Sequence, residues 1–211
     1  MNRRDRGDSP KSVPKGVLAF SGLLAAASAA GVVVTGNAEF VFYLAVLLVL
    51  AGLAYWAHRH VGFSDRSLWL LSVWAAMHMA GGLVPVPEGW PVNGETRVLY
   101  SLWLIPDLLK YDHVVHAFGF GTMTLVSFEG LLASTGVSDR TRAARGLVLF
   151  AGLTALGFGA LNEVVEFVAT LLIPDTNVGG YVNTGWDLVA NLAGVLLVGG
   201  VLYVRNLTPR G

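Results

Sequence analysis

The stretch AARGLVLFAGLTALGFGALNEVVEFVATLLI, residues 143–173, decides the fold class. A bilayer hydrocarbon core of ~30 Å takes about 20 mostly apolar residues in a helix, because lipid cannot satisfy an open backbone. This run exceeds that length. It also carries Asn162, Glu163 and Glu166 inside an otherwise apolar segment.

Working outward, residues 17–35, 39–57, 67–85 and 183–204 read as spans on the same ground. Residues 111–133 make a sixth, despite polar residues in their first turns. Turn and breaker residues separate the spans: Gly36-Asn37-Ala38, Pro85-Val86-Pro87, and the segments 136–142 and 174–183. Residues 98–109 (VLYSLWLIPDLL) are too short to span and contain Pro106, so an interfacial or re-entrant helix is expected there. The expected architecture is an all-α polytopic bundle of about six transmembrane helices. A tail covers residues 1–16, one membrane domain covers 17–207, and a polar core lies within 107–200.

Composition agrees with a membrane protein. Of 211 residues, 54% are hydrophobic and 13% charged, about half the charged share of an average soluble domain. The formal net charge is zero and leaves no basic footprint for a nucleic acid. There is no cysteine, which removes disulfides and thiolate chemistry.

Orientation follows from where the positive charges fall. Twelve of the 14 lysines and arginines lie on one side, in the N-terminal tail, the 58–66 and 136–145 segments and the C-terminal end. The opposite loops hold Arg97 and Lys110. Both termini are therefore expected in the cytoplasm, with the protein in the inner or plasma membrane. The basic residues before the first span, and the small residues at 25–30, also allow a signal peptide. Its apolar run is longer than the usual 7–15 residues, which favours an uncleaved span.

Ionisable groups inside spans are costly, about 2.5–3.5 kcal/mol each at the helix centre on insertion scales. At ~1.5 Å per residue, Glu166 and Glu163 lie roughly 12 and 16 Å below the outer end of span five. Asp187 and Asn191 lie about 7–14 Å deep in span six, and His78 about 10 Å deep in span three. Asp112, His113 and His116 occupy the first two turns of span four. Four helices thus bring polar groups to one layer of the outer leaflet. Asp112 and His116 are four residues apart and share a helix face, as do Asp187 and Asn191. Glycines at 119, 121, 157, 159 and 194 offer close helix approach around that layer. Spans four and six also parallel each other: Asp112, His116 and Gly119 match Asp187, Asn191 and Gly194, and both spans follow Leu-Ile-Pro-Asp (104–107 and 172–175).

The pieces YDHVVHAFGFG, NEVVEF and NTGWDLVANLAG resemble the YjdF-like inner-membrane family and, more distantly, the VanZ-like proteins. The likeness covers roughly residues 100–200. It implies a multi-pass membrane fold, with an Asp-x-x-x-His helix start, a glutamate-bearing helix and a last helix carrying Asp, an amide or small residue, and Gly. It implies no reaction. Where VanZ-like members carry Lys after the first Asp, this chain has His113.

Carboxylates and an imidazole in one layer suit a divalent metal such as Zn²⁺, Mn²⁺ or Fe²⁺, with Asp112, His116, Glu166 and Asp187 as ligands. Such an ion would activate water for hydrolysis of a lipid or lipid-linked ester or phosphate, with Glu163, Glu166 and Asp187 as the catalytic set. Without metal, a Glu beside a His is a usable acid–base pair. The same residues suit a proton- or cation-coupled transporter. A non-catalytic factor binding a lipid or a partner helix, its polar residues forming a satisfied network, is the third reading. His78, His113, Asn162 and Asn191 complete the polar core. The polar layer lies off the midplane and no inverted repeat is evident, which favours a one-sided site over a transporter. Asp107 and Asp175 read as loop or cap residues, and Glu129 as a residue near the inner interface without a role.

Overall fold

The computed structural model describes residues 12–36, 38–139, 141–173, 176 and 178–207. Among these, six long helices follow one another: α1 (Lys15–Thr35), α2 (Ala38–Val61), α3 (Asp65–Leu83), α4 (Tyr111–Thr135), α5 (Arg142–Leu172) and α6 (Tyr181–Arg205). The fold is an all-α membrane-type bundle. Local chemistry sets the helix ends. Gly36 (φ 63°) and Gly136 (φ 70°) close α1 and α4 in the left-handed conformation that favours glycine. The Ser64 and Thr141 hydroxyls cap α3 and α5 by accepting from the backbone N–H of Ser67 and Ala144.

Five helices are long and apolar enough to cross a membrane: α1, α2, α4, α5 and α6. The helix α3, read from sequence as an equal span, is not among them. Its 19 residues include Asp65, Arg66, Ser67, Ser72 and His78, and it packs against α1, α2 and α4. Ser67 and Ser72 are buried against its neighbours, while Asp65 and Arg66 are exposed at the helix start. Much of α1 and α2 faces outward with exposed Leu and Val side chains, whereas α4 is the central helix, touching α2, α3, α5 and α6.

The helix expected over residues 98–109 does not form. A single 3-10 turn (Leu99–Ser101) leads instead into a small antiparallel hairpin of β1 (Trp103–Ile105) and β2 (Leu109–Lys110). Pro106 lacks the N–H that a helix interior needs, and Asp107 takes a left-handed turn conformation (φ 57°), which Asp tolerates better than most residues. Bridges Pro85–Val98 and Val92–Leu102 tie the loop to itself. Arg97 gathers the carbonyls of Val86, Pro87 and Trp90. The loop is thereby held over the end of the bundle where α4 begins. Tyr100 lies against Gly81 of α3, where a Cβ would meet its ring, and the Tyr111 hydroxyl donates to the Met77 carbonyl at 3.0 Å.

Glycines bring α4, α5 and α6 together. A Cβ on Gly194 would run into the backbone of Ala117, and one on Gly159 would meet the Asn191 amide at 2.8 Å. Gly121 faces Gly194 across the same seam, while Gly119 receives the Trp74 indole of α3. Gly157, grouped with these in the sequence, faces open space.

Candidate functional site

The close α4–α6 seam places His116 beside Asn191. His116 Nδ1 is 3.0 Å from Asn191 Oδ1. An amide oxygen accepts, so Nδ1 carries the proton and Nε2 presents a lone pair. That lone pair faces carboxylates: Asp112 Oδ1 lies 3.6 Å from Nε2, and Glu166 Oε1 lies 3.9 Å away. Glu163 Oε1 approaches the same ring on its Nδ1 side at 3.8 Å. Three helices therefore converge on one imidazole.

The surrounding contacts fix three of the carboxylates. Asn162, one turn before Glu166, donates to Glu166 Oε1 at 2.9 Å. Asn183, one turn before Asp187, donates to Asp187 Oδ2 at 2.6 Å. Lys110 reaches Asp112 Oδ2 at 3.3 Å and also bonds the Asn183 side-chain oxygen. Asp187 and Asn191 are fully buried, and the Glu163 side chain is only 10% exposed.

Several buried polar atoms nevertheless lack a partner. Both carboxylate oxygens of Glu163, Asp187 Oδ1 and Asn191 Nδ2 have no hydrogen bond among the described residues. Four carboxylates (Asp112, Glu163, Glu166 and Asp187) face one lysine and one histidine. Burying that excess of negative charge is expensive unless a cation or protons enter. Two sets have ligand atoms within 4.8 Å of one another: Asp112, His116 and Asp187, and His116, Glu163 and Glu166. They share His116. One imidazole with carboxylate oxygens is a donor set for Zn²⁺, Mn²⁺ or Fe²⁺.

Of the residues singled out from sequence, Asp112, His116, Asn162, Glu163, Glu166, Asp187 and Asn191 come together. His78 of α3 stands at the edge, sharing a cavity of about 30 Å³ with Glu39, Tyr43, Tyr100, Asp112 and Glu166. His113 turns away: its Nδ1 accepts the Lys110 backbone N–H at 3.2 Å, and its ring leans toward Trp186. It caps the start of α4 and does not join the cluster. Asp107 is exposed in the hairpin turn, and Asp175 lies outside the described residues.

Sequence reasoning missed Lys110, Asn183, Glu39, Tyr43 and Tyr100. Lys110 had counted only as an outer-loop charge, yet it is buried against the cluster. Asn183 did leave a signal, since Asn183, Asp187 and Asn191 form a ladder at four-residue spacing. Tyr100 closes the site from the loop between α3 and α4. Burial pushes its phenol up, and Asp112 and Glu166 push the same way, so Tyr100 stays a neutral hydroxyl at this mouth.

The family model described as "Predicted membrane protein (DUF2238)" matches residues 16–207. The chain belongs to this family. It is the YjdF-like family that the α4, α5 and α6 motifs resemble, while the VanZ-like proteins stand only as a distant likeness. No curated protein and no solved structure matches the chain. The protein is thus an integral membrane protein set in a lipid bilayer, and family membership brings no reaction with it.

Proposed function

We propose that the cluster binds one divalent cation and that the protein is a metal-dependent hydrolase acting on a lipid or lipid-linked ester or phosphate. Asp112, His116 through Nε2, Glu166 and Asp187 hold the ion, and Glu163 stands beside it as general base. The reading is carried by the unpartnered oxygens of Glu163 and Asp187 around an imidazole whose Nδ1 proton is already engaged by Asn191. A ligating histidine held through its other nitrogen is the usual outer arrangement of a metal site. The ion would supply an acidified water and polarise the scissile linkage. Glu163 takes a proton from the water, whose oxygen bonds to the ester carbon or phosphorus. The bond to the leaving oxygen breaks, and the proton passes to that oxygen.

Positive charges concentrated at one end of the helices support cytoplasmic termini in the cell's inner membrane, with residues 1–16 as a cytoplasmic tail, residues 17–207 as one membrane domain, and the site in the outer leaflet. The test is elemental mass spectrometry of the detergent-purified protein beside a Glu163→Gln/Glu166→Gln variant. Near-stoichiometric Zn, Mn or Fe, lost in the variant, is expected. No metal in either sample, with both well folded, would overturn the metal reading and favour a proton relay or a structural polar network.

A further inference from the structure

A second cavity, of about 290 Å³, runs between α1, α2, α3 and α5 and ends at the cluster. Its polar end is formed by Tyr43, His78, Asn162 and Glu166. Three of these, Tyr43, His78 and Glu166, also line the small outer cavity, so the two spaces meet at Glu166. Along α2 the lining extends from Tyr43 to Tyr55, a distance of about 18 Å at 1.5 Å per residue. That is more than half of a ~30 Å hydrocarbon core.

The wall away from the cluster is almost wholly apolar. Its polar groups are few: the Ser21 and Ser72 hydroxyls engage each other at 3.0 Å, Ser72 also donates to the Leu68 carbonyl, and the Tyr55 hydroxyl and the Trp74 indole N–H complete the set. Each ordered water needs two to four polar partners, and four such groups spread along about 18 Å are too few to hydrate the space. The space therefore suits an apolar chain better than a hydrated ion path or a polar ligand. Small side chains at Ala25, Ala51, Ala54 and Ala75 leave the room. Leu18, Leu48, Leu50 and Tyr55 line it and are also exposed on the outer surface of the bundle, so it opens sideways, where lipid lies. At ~30 Å³ for a group the size of water, it holds a chain of roughly ten methylenes.

We infer that this cavity holds one hydrocarbon chain of the lipid substrate, tail toward the cytoplasmic side, with the cleavable linkage beside Glu166. The assignment rests on the hydrolytic reading of the cluster, and it names the substrate class as a lipid presenting a single chain to the site. The chain enters laterally between the outward-facing parts of α1 and α2. The outer cavity under Tyr100, with room for about one water-sized group, adjoins the linkage at Glu166.

The test uses the full chain in vesicles of phosphatidylethanolamine and phosphatidylglycerol, doped with a phosphatidylglycerol carrying a mid-chain diazirine. Photo-adducts are mapped by peptide mass spectrometry. Saturable labelling of Leu71, Ala75 and Val165 is expected, against labelling of Leu196 and Leu197 on the exposed face of α6 that rises linearly with probe. Ala75→Phe fills the cavity and should lose the Leu71 and Val165 adducts while keeping those on α6. Should that variant fail to fold, competition of the unaltered protein by dodecyl phosphate reads the same site, with loss of the inner adducts expected. Inner labelling that is absent, or linear and insensitive to dodecyl phosphate, overturns the inference. Glu163→Gln should keep the inner labelling, since Glu163 does not line the cavity. Metal without saturable labelling refutes the chain site alone. Saturable labelling without metal refutes the metal centre and leaves the chain site standing.

Discussion

Replacing Gly194 by Ala should loosen the α4–α6 seam and weaken the site together. The added Cβ would lie 2.7 Å from the Ala117 carbonyl carbon and 2.9 Å from its Cα, closer still to the carbonyl oxygen. These are backbone atoms of α4 and cannot rotate aside, so the two helices must part. Overpacking of this kind costs about 1–3 kcal/mol. For a chain of this size, each kcal/mol lowers the melting temperature by roughly 2–4 °C, giving a fall of about 2–12 °C. Gly194 lies one turn beyond Asn191, and Ala117 follows His116, so parting the helices there also stretches the 3.0 Å contact that orients the imidazole. The assay is thermal unfolding in detergent beside Gly200→Ala, where a Cβ meets nothing within 4 Å. The control should melt at or slightly above the parent temperature, since Ala is the better helix former. Equal melting of Gly194→Ala and Gly200→Ala would refute the close seam and the argument built on it.

Asn191→Ala removes the acceptor that fixes the His116 tautomer. It should lower metal affinity about 10–100-fold in a chelator competition titration, since outer-shell partners of ligating histidines act at that scale. Glu129→Ala should lower stability by about 1–2 kcal/mol in the same unfolding assay and leave metal content unchanged, because Glu129 accepts from the Ser64 N–H and hydroxyl at the start of α3, far along α4 from His116. Metal occupancy should fall as the medium is acidified, because imidazole and carboxylate ligands bind only when deprotonated and the proton competes with the ion. A pH series of equilibrium dialysis with Zn²⁺ reads this directly, and occupancy rising in acid would contradict it.

Much of the fold was legible because hydropathy is local. A run such as residues 143–173 has only one low-energy form in lipid, whatever surrounds it. The fixed helical rise then turned sequence position into depth, which is why Asp112, His116, Glu163, Glu166, Asp187 and Asn191 could be grouped before any packing was known. What escaped depends on contacts between distant segments. The segment leading into the hairpin at Trp103–Lys110 is held by the Pro85–Val98 and Val92–Leu102 bridges and by Arg97, and no feature of residues 98–109 alone announces these partners. Lys110 looked like a loop charge until the loop folded back and brought its amine to Asp112. Glu129 looked idle because its partner, Ser64, is 65 residues away. The apolar cavity is a property of how α1 and α2 stand off from α3 and α5, and apolar composition is the same whether a helix packs tightly or not.

The central claim is that His116 and the carboxylates of α4, α5 and α6 hold one ion. X-ray absorption at the K-edge of the metal that copurifies tests it most directly. A first shell of nitrogen and oxygen near 2.0–2.2 Å with the scattering of a single imidazole, lost in Asp187→Asn, is expected. A shell with two or more imidazoles, or one unchanged by Asp187→Asn, would place the ion away from His116 and these carboxylates.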